Sequence, residues 1–539
     1  MKRYICNINS VAIISLFFFN ACRSSDIDST IINSSTSMLN FNLLETEFTN
    51  SCVSSSLASL NKNNTNISES SNQTYSVLID PSTVIVAELA AVPASDLKGV
   101  VSVSKINPAA AISGSSLSSL TKFRIIAYSK KDGAYITHQD YTVGQKADPM
   151  TLVKGVSYDI IAYSFGTKTL PIISTGEKKN INNAIVNYDN NNRDFMYQKI
   201  TSYTPVNANN TLNIILRHKV ALITTVINSY GEGNITSINN AILTPHYSDG
   251  VFSLSSGDMS KRTRVSSATL NFPSSGFPGT TQTANPVFVN SNSGTVTNGG
   301  FSANITIGGQ SKTIKIPDFF KIIPEHKSNL TINLNKCGAY IGPGIWKAFM
   351  CHNLGADTNM NPFVPTAGIH GAKYKWGAQT GQEGHYISQE NDQKNEGSIR
   401  GWTLSSNARG SWLDESRGPK DPCPQGYKVP SRAQWQGVID NNRFERVGSW
   451  ANSNTNFTTA LYITDSSGRR TLMLPASGIR LGGTGIPQRR GLQGTYWTST
   501  VTRNQNAFSY PFIFENSRLT VSSGNHSRSH GSSVRCIAL

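Results

Sequence analysis

Cysteine, histidine and tryptophan are the residues of this chain whose types and spacing could do chemistry. Cys423 stands between two prolines in Asp421-Pro-Cys-Pro-Gln-Gly-Tyr-Lys-Val-Pro-Ser431, just ahead of a short helical pattern. A thiol at a helix N-terminus can be an activated nucleophile, and in an exported protein it is more often half of a disulfide. His526 and His530 are four apart, a spacing that would hold zinc on a helix. They lie in Ser-Gly-Asn-His-Ser-Arg-Ser-His-Gly, a loop composition with no third ligand nearby, and read as two solvated side chains. His352, His370 and His385 are too dispersed to define a site. All seven tryptophans fall after residue 345, at 346, 376, 402, 412, 435, 450 and 497. Trp402, Trp412 and Trp450 lie in Gly/Ser/Asn-rich loops, where an exposed ring would be a stacking platform for a sugar or a peptide. They are the candidate ligand-binding residues, with loop packing as the competing role.

The elements that must carry these residues begin with an export signal. Met1-Lys-Arg-Tyr-Ile is basic and leads into Val11-Ala-Ile-Ile-Ser-Leu-Phe-Phe-Phe19, an apolar run too short to span a bilayer and shaped like a signal peptide over 1–21. It ends Phe19-Asn20-Ala21-Cys22, which resembles a bacterial lipobox, with polar Asn20 as the departure. That resemblance implies a lipidated Cys22 and attachment to the cell outer membrane through acyl chains. Export implies an oxidising compartment, so the remaining cysteines are read as disulfides before nucleophiles.

At 539 residues the chain is long enough for three or four domains of about 150 residues each. Only 15% of residues are charged, and the formal charge is +16. From Cys337 onward there are 21 Lys/Arg against 12 Asp/Glu. These cations are scattered singly or in pairs (Arg469-Arg470, Arg489-Arg490), without the basic helix or stripe of a nucleic-acid binder. They read as solvated surface first and as anionic-glycan contacts second.

Residues 22–74 are rich in Ser, Asn and Thr and read as a tether. Cys52 lies in it without an evident partner. From Tyr75 the pattern turns to short alternating strands, including Phe123-Arg-Ile-Ile-Ala-Tyr128 and Val156-Ser-Tyr-Asp-Ile-Ile-Ala-Tyr163, which share Ile-Ile-Ala-Tyr-Ser. Frequent strands without helical periodicity point to a mainly β chain with two consecutive β-sandwiches, over 75–216 and 217–336. The composition then changes to tryptophan, glycine and histidine over 337–539. There Ser431 and Gln434 form a capping box ahead of Trp435, Val438 and Ile439 on one helix face.

Gly155-Val-Ser-Tyr-Asp-Ile-Ile-Ala-Tyr-Ser164, a strand ending Leu216-Arg-His-Lys-Val-Ala221 and a second sandwich together resemble the fimbrillin family of lipoprotein pilins of the type V pilus. The resemblance implies transthyretin-like sandwiches. It also implies assembly with other pilus subunits by donor-strand exchange, in which a protease removes the first strand and a partner's strand replaces it. The family's protease cuts after arginine, and no arginine lies between Arg23 and Arg124.

The blocks Ile345-Trp-Lys-Ala-Phe-Met-Cys-His-Asn-Leu-Gly355, Lys373-Tyr-Lys-Trp-Gly377, the Cys423 stretch, Gly494-Thr-Tyr-Trp-Thr-Ser-Thr500 and Ser533-Val-Arg-Cys-Ile537 resemble the FISUMP (major paralogous) domain, a relative of the C-type-lectin-like fold. That resemblance implies an α+β domain in which Cys423 pairs with Cys536 and Cys337 with Cys351. With those pairings the C-terminal end is pinned and cannot be donated, which would place the subunit at a fibre tip. Glu-Pro-Asn, Gln-Pro-Asp and Trp-Asn-Asp, the calcium-site triplets of sugar-binding lectins, are absent from the sequence. With the four cysteines assigned to bridges, the nucleophile of the related formylglycine-generating enzymes is missing. The reading is therefore a fimbrial and adhesive protein and not an enzyme, with no cofactor or metal implied and an unknown glycan or protein ligand. The alternative is a surface lipoprotein that binds glycans and never polymerises.

Overall fold

The computed structural model describes residues 36–49, 72–92, 117–292, 298–502, 507–524 and 526–539. The signal segment 1–21, Cys22 and Cys52 lie outside the described residues. The protein is mainly β; among the described residues the α-helices are α1 (Gln389–Lys394) and α2 (Arg432–Asn441).

The tether expected over 22–74 is corrected in its middle, where Thr36–Glu47 forms strand β1. Its alternation buries Leu39 and Leu43, apolar surface that becomes useful only when a sheet receives it. β1 runs parallel to Asn209–His218, from Met38 opposite Asn209 to Glu47 opposite Arg217, and antiparallel to Met150–Val153. The full sheet has seven strands in the order Tyr135–Thr142, Lys122–Ser129, Tyr158–Ser164, Met196–Tyr203, Asn209–His218, β1, Met150–Val153. It curls on itself, so that Phe41 of β1 meets Tyr141 of the far edge strand with ring centroids 5.3 Å apart. The two strands that share Ile-Ile-Ala-Tyr-Ser are antiparallel neighbours, with Ile126 opposite Ile161. Alternation places Phe123, Ile125 and Ala127 inside the curl, and Ile126 and Tyr128 in a separate core on the other face.

The first sandwich, expected over 75–216, does not contain its own first two strands. β2 (Gln73–Asp80) and β3 (Thr83–Ala91) form a hairpin that belongs to the second unit. There β3 pairs antiparallel with Lys327–Lys336, in a sheet ordered Thr281–Thr283, Ala221–Asn228, Lys327–Lys336, β3, β2. A second sheet of Val265–Thr269, Ile235–Tyr247, Gly299–Ile307 and Gln310–Phe320 shares its core, built from Ile85, Leu89, Ile223, Leu330, Phe301 and Ile305 among others. The physical reason for the reassignment is that Val84-Ile-Val-Ala87 is apolar on both faces, so β3 needs cover on both. Ile85 and Ala87 face the sandwich. Val84, with Val86 and Leu78 beside it, packs into the core of the 337–539 domain. Backbone bonds fix the hairpin turn there, since Cys337 N–H donates to the Ser82 carbonyl and Cys351 N–H to the Pro81 carbonyl, each at 2.7 Å. The first two units are also joined, through pairing of Ile185–Asp189 with Asp249–Ser253.

Residues 337–539 form short sheets around α2. Ser431 caps α2 by accepting from Gln434 N–H, and the Gln434 side chain accepts from Ser431 N–H. Trp435 and Val438 face the core, where Trp435 stacks on Phe512 at 4.5 Å. Gly437 lets the helix touch the strand Gly338–Gly342: a Cβ there would stand 2.0 Å from the Ile341 carbonyl oxygen. Disulfides join Cys337 to Cys351 and Cys423 to Cys536. The strand Ile537–Ala538 pairs with Tyr427–Lys428, and Leu539 N–H donates to the Gly426 carbonyl at 3.0 Å.

Candidate functional site

The surroundings of Cys423 are structural. Its sulfur is bonded and fully buried. The Asp421 carboxylate accepts from Cys423 N–H and Val429 N–H, both at 3.0 Å, and so sets the bend that presents the cysteine to the last strand. Burial raises the Asp421 carboxyl pKa, with these two backbone donors opposing.

Two of the three candidate tryptophans are corrected. Trp402 and Trp412 are each 2% exposed and offer no free face. Trp412 donates its indole N–H to the Lys420 carbonyl at 3.0 Å and packs against Trp376. Trp402 carries the Lys375 ammonium 4.9 Å from its ring centre. Trp450 is half-buried and meets Phe514 edge-on at 6.2 Å. Large rings in long loops bury more area than the loops can leave wet, so they become the loops' own cores. The histidines read as solvated are also corrected: His526 meets Trp497 edge-on at 5.3 Å and His530 at 4.8 Å. Among the described residues no group of three His, Cys, Asp or Glu could hold a metal ion.

A site does form around α1, which sequence reasoning passed over. Ser388 caps this six-residue helix, accepting from Asn391 N–H at 3.3 Å. The inner face carries Asp392, 2% exposed. Arg480 Nε donates to its Oδ1 at 2.6 Å, Arg490 Nη2 donates to its Oδ2 at 2.8 Å, and Lys373 Nζ stands 3.8 Å away. Arg480 also donates to the Asn395 carbonyl at 2.7 Å, satisfying the C-terminal end of the helix. Burial alone would raise the Asp392 carboxyl, but Lys373, Arg480 and Arg490 outweigh it and hold the pKa below the usual range. Burial pulls the Lys373 ammonium down to about 8, with Asp392 opposing.

The outer face of α1 is polar. Asn391, Lys394 and Asn395 line a groove of about 570 Å³ whose walls also include Tyr386 and Arg400. Ile387 and Ile399 supply its apolar surface, and Glu383 contributes a carboxylate. The walls approach because Gly384 has φ +67° and stands under Gly401, where a Cβ would meet the carbonyl oxygen at 2.5 Å. Tyr386 leans on Tyr374 with centroids 5.1 Å apart. Ile399 N–H donates to the Thr484 carbonyl at 2.8 Å, so the Arg400 wall hangs from the same hairpin that supplies Arg480 and Arg490. None of the groove residues comes from 421–431. The advance signal in the sequence is Ser388 ahead of Gln-Glu-Asn-Asp-Gln-Lys394, where Asp392 is flanked by two amides.

Two buried histidines, His370 beside this framework and His352 against the Met360 carbonyl, are expected to make the domain acid-sensitive. His370 and His352 are 1% and 2% exposed. Burial pulls the first down to about 3, helped by Lys373 and Arg490, and the second to about 4. Both folded-state values lie below the unfolded one, so this stability is complete above about pH 6.5 and is lost as pH falls toward the folded values. Between pH 7 and pH 5 each histidine should cost about 2 kcal/mol, read as a fall in the urea midpoint. His370→Gln should remove its share of that fall; an unchanged pH slope would show that His370 is not the group titrating.

No protein-family model matches the chain, and no curated protein matches it. Among solved structures, the chain is similar to a candidate cell adhesion protein from Bacteroides uniformis at 14% identity and TM-score 0.28, over 40% of this chain and 86% of that one. It is similar to candidate polysaccharide binding proteins from Bacteroides thetaiotaomicron at 11% identity and TM-score 0.27, over 43% and 87%. A third similarity is to the fimbrial anchor protein Mfa2 from Porphyromonas gingivalis, at 11% identity and TM-score 0.26 over 40% and 82%.

Proposed function

We propose that this protein is a fimbrillin-like, lipid-anchored adhesive subunit of the cell surface, in which two β units carry a FISUMP-type, lectin-like binding domain. Cys22 holds the acyl anchor in the outer membrane, and the C-terminal domain presents the α1 groove to a glycan or protein ligand. The observation that carries the reading is the contrast between two strands. β1 fills a slot between Asn209–His218 and Met150–Val153, strands more than a hundred residues away in sequence. A strand supplied from so far along the chain can be replaced by one from another subunit. Ile537–Ala538, in contrast, is hydrogen-bonded and disulfide-clasped into its own domain and is not free to be lent. A subunit that receives a strand and keeps Ile537–Ala538 in its own domain suits the end of a fibre.

One sequence fact favours the alternative, a surface lipoprotein that never polymerises: no arginine lies between β1 and β2, so an arginine-specific protease cannot release β1 there. Immunogold labelling of cells with an antibody to 337–539 separates the two. Gold at fibre ends is expected. Gold confined to cell bodies, with fibres bare, would establish the non-polymerising protein instead.

A further inference from the structure

We propose that the α1 groove takes a saccharide bearing a carboxylate, with Arg400 as the residue that binds the acid group; this rests on the C-terminal domain being the ligand-binding part. The groove offers Arg400 and Lys394, the amides of Asn391 and Asn395, and one face of half-buried Tyr386. Lys394 is already engaged by Glu390 at 2.6 Å. Arg400 is exposed and has no ion-pair partner among the described residues. Its planar fork suits a carboxylate bidentately, in a way that a lysine does not. Asparagine amides both donate to and accept from sugar hydroxyls, and a tyrosine ring gives a flat face for a pyranose. Glu383 can only accept, which hydroxyls satisfy and a second acid would not. The volume of about 570 Å³ is in the range of small-ligand sites.

The charge of the whole domain points the same way. From Cys337 onward, 21 Lys/Arg oppose 12 Asp/Glu. Among its described residues seven cationic side chains are buried, Lys373, Lys375, Lys428, Arg480, Arg490, Arg528 and Arg535, against Asp392 and Asp421. Lys373, Arg480 and Arg490 stand behind α1 against Asp392 alone, and buried charge is poorly screened, so this local excess favours an anion on the groove side of the helix. Carboxylated sugars come as uronic acids or as sialic acids, and the groove chemistry is common to both.

The test uses the full chain and four immobilised saccharides: polygalacturonate, its fully methyl-esterified form, sialyllactose and lactose. At least one acid is expected to bind about tenfold more tightly than its neutral counterpart, a single strong charge-assisted contact. Arg400→Gln should abolish that preference and Arg400→Lys should keep part of it. Arg443→Gln, which removes an exposed charge outside the groove, should leave it intact. Preference for polygalacturonate alone identifies uronates, for sialyllactose alone sialic acid, and for both the carboxylate itself. Equal binding of acid and neutral forms overturns the inference while leaving the domain a ligand binder. An acid preference that weakens partly, and equally, with Arg400→Gln and with Arg443→Gln overturns it in favour of diffuse surface charge. Binding to none of the four overturns it outright, and the gold label then bears on the adhesive reading separately.

Discussion

Asp392→Ala is expected to destabilise the C-terminal domain by about 3–5 kcal/mol, the usual result of removing one partner from a buried ion pair. The carboxylate is 2% exposed and faces Arg480, Arg490 and Lys373, so its loss leaves three cations with no anion among them. Arg480 would still hold the Asn395 carbonyl, but the inner anchor of α1 would be gone. The measurement is convenient because all seven tryptophans lie between 346 and 497, and their fluorescence reports this domain without interference from the β units. Glu390→Ala is the contrasting control, since its pair with Lys394 is 71–73% exposed and should give no measurable change. A small effect at Asp392 would mean that Lys373 is neutral and the cluster less charged than drawn.

The second large effect is expected on removing the long disulfide. Cys423→Ser with Cys536→Ser opens a loop spanning 113 residues, for which chain entropy gives about 4.7 kcal/mol and practice about 2–5. Cys337→Ser with Cys351→Ser opens a span of 14, for which the same reasoning gives about 3 kcal/mol. The longer bridge should therefore matter more to the urea midpoint read by tryptophan. If the short bridge proved the costlier, the reason would be the hairpin turn, whose Ser82 and Pro81 carbonyls are held by Cys337 and Cys351 N–H. Equal midpoints for wild type and both double variants would refute the role given to either bridge.

Much of this protein is legible from local pattern, and what is not follows from long-range pairing. The capping box at Ser431 and Gln434, the helix face of Trp435 and Val438, and the neighbouring Ile-Ile-Ala-Tyr-Ser strands all depend on residues close in sequence or on strong alternation. β1 was hidden because Ser, Asn and Thr on both sides dilute the alternation of Leu39, Phe41 and Leu43. Its partners are also 111 to 171 residues away, which no window of sequence connects. A first sandwich beginning at residue 75 takes in β2 and β3, whereas the two apolar faces of Val84-Ile-Val-Ala87 suit a strand covered on both sides. Trp402 and Trp412 misled for the opposite reason, since their polar loop neighbours describe the loop's surface and not the ring's place. The groove was invisible because its walls, Tyr386 and Arg400, are brought together by Gly384 and by a hairpin ninety residues downstream.

The shared hairpin also decides how the molecule would carry tension. Tension applied to the 337–539 domain pulls on Cys337, and through it along the strand Lys327–Lys336. β3 opposes that strand antiparallel over nine residue pairs, from Thr83 at the loaded end to Ala91. Force along the strand therefore shears the whole ladder at once, where a perpendicular pull would unzip it bond by bond. At the loaded end the turn is riveted to both cysteines of the short disulfide, so the first rung cannot peel before the rest. The joint between the second unit and the 337–539 domain is built as a lap joint, strongest along the direction of its strands.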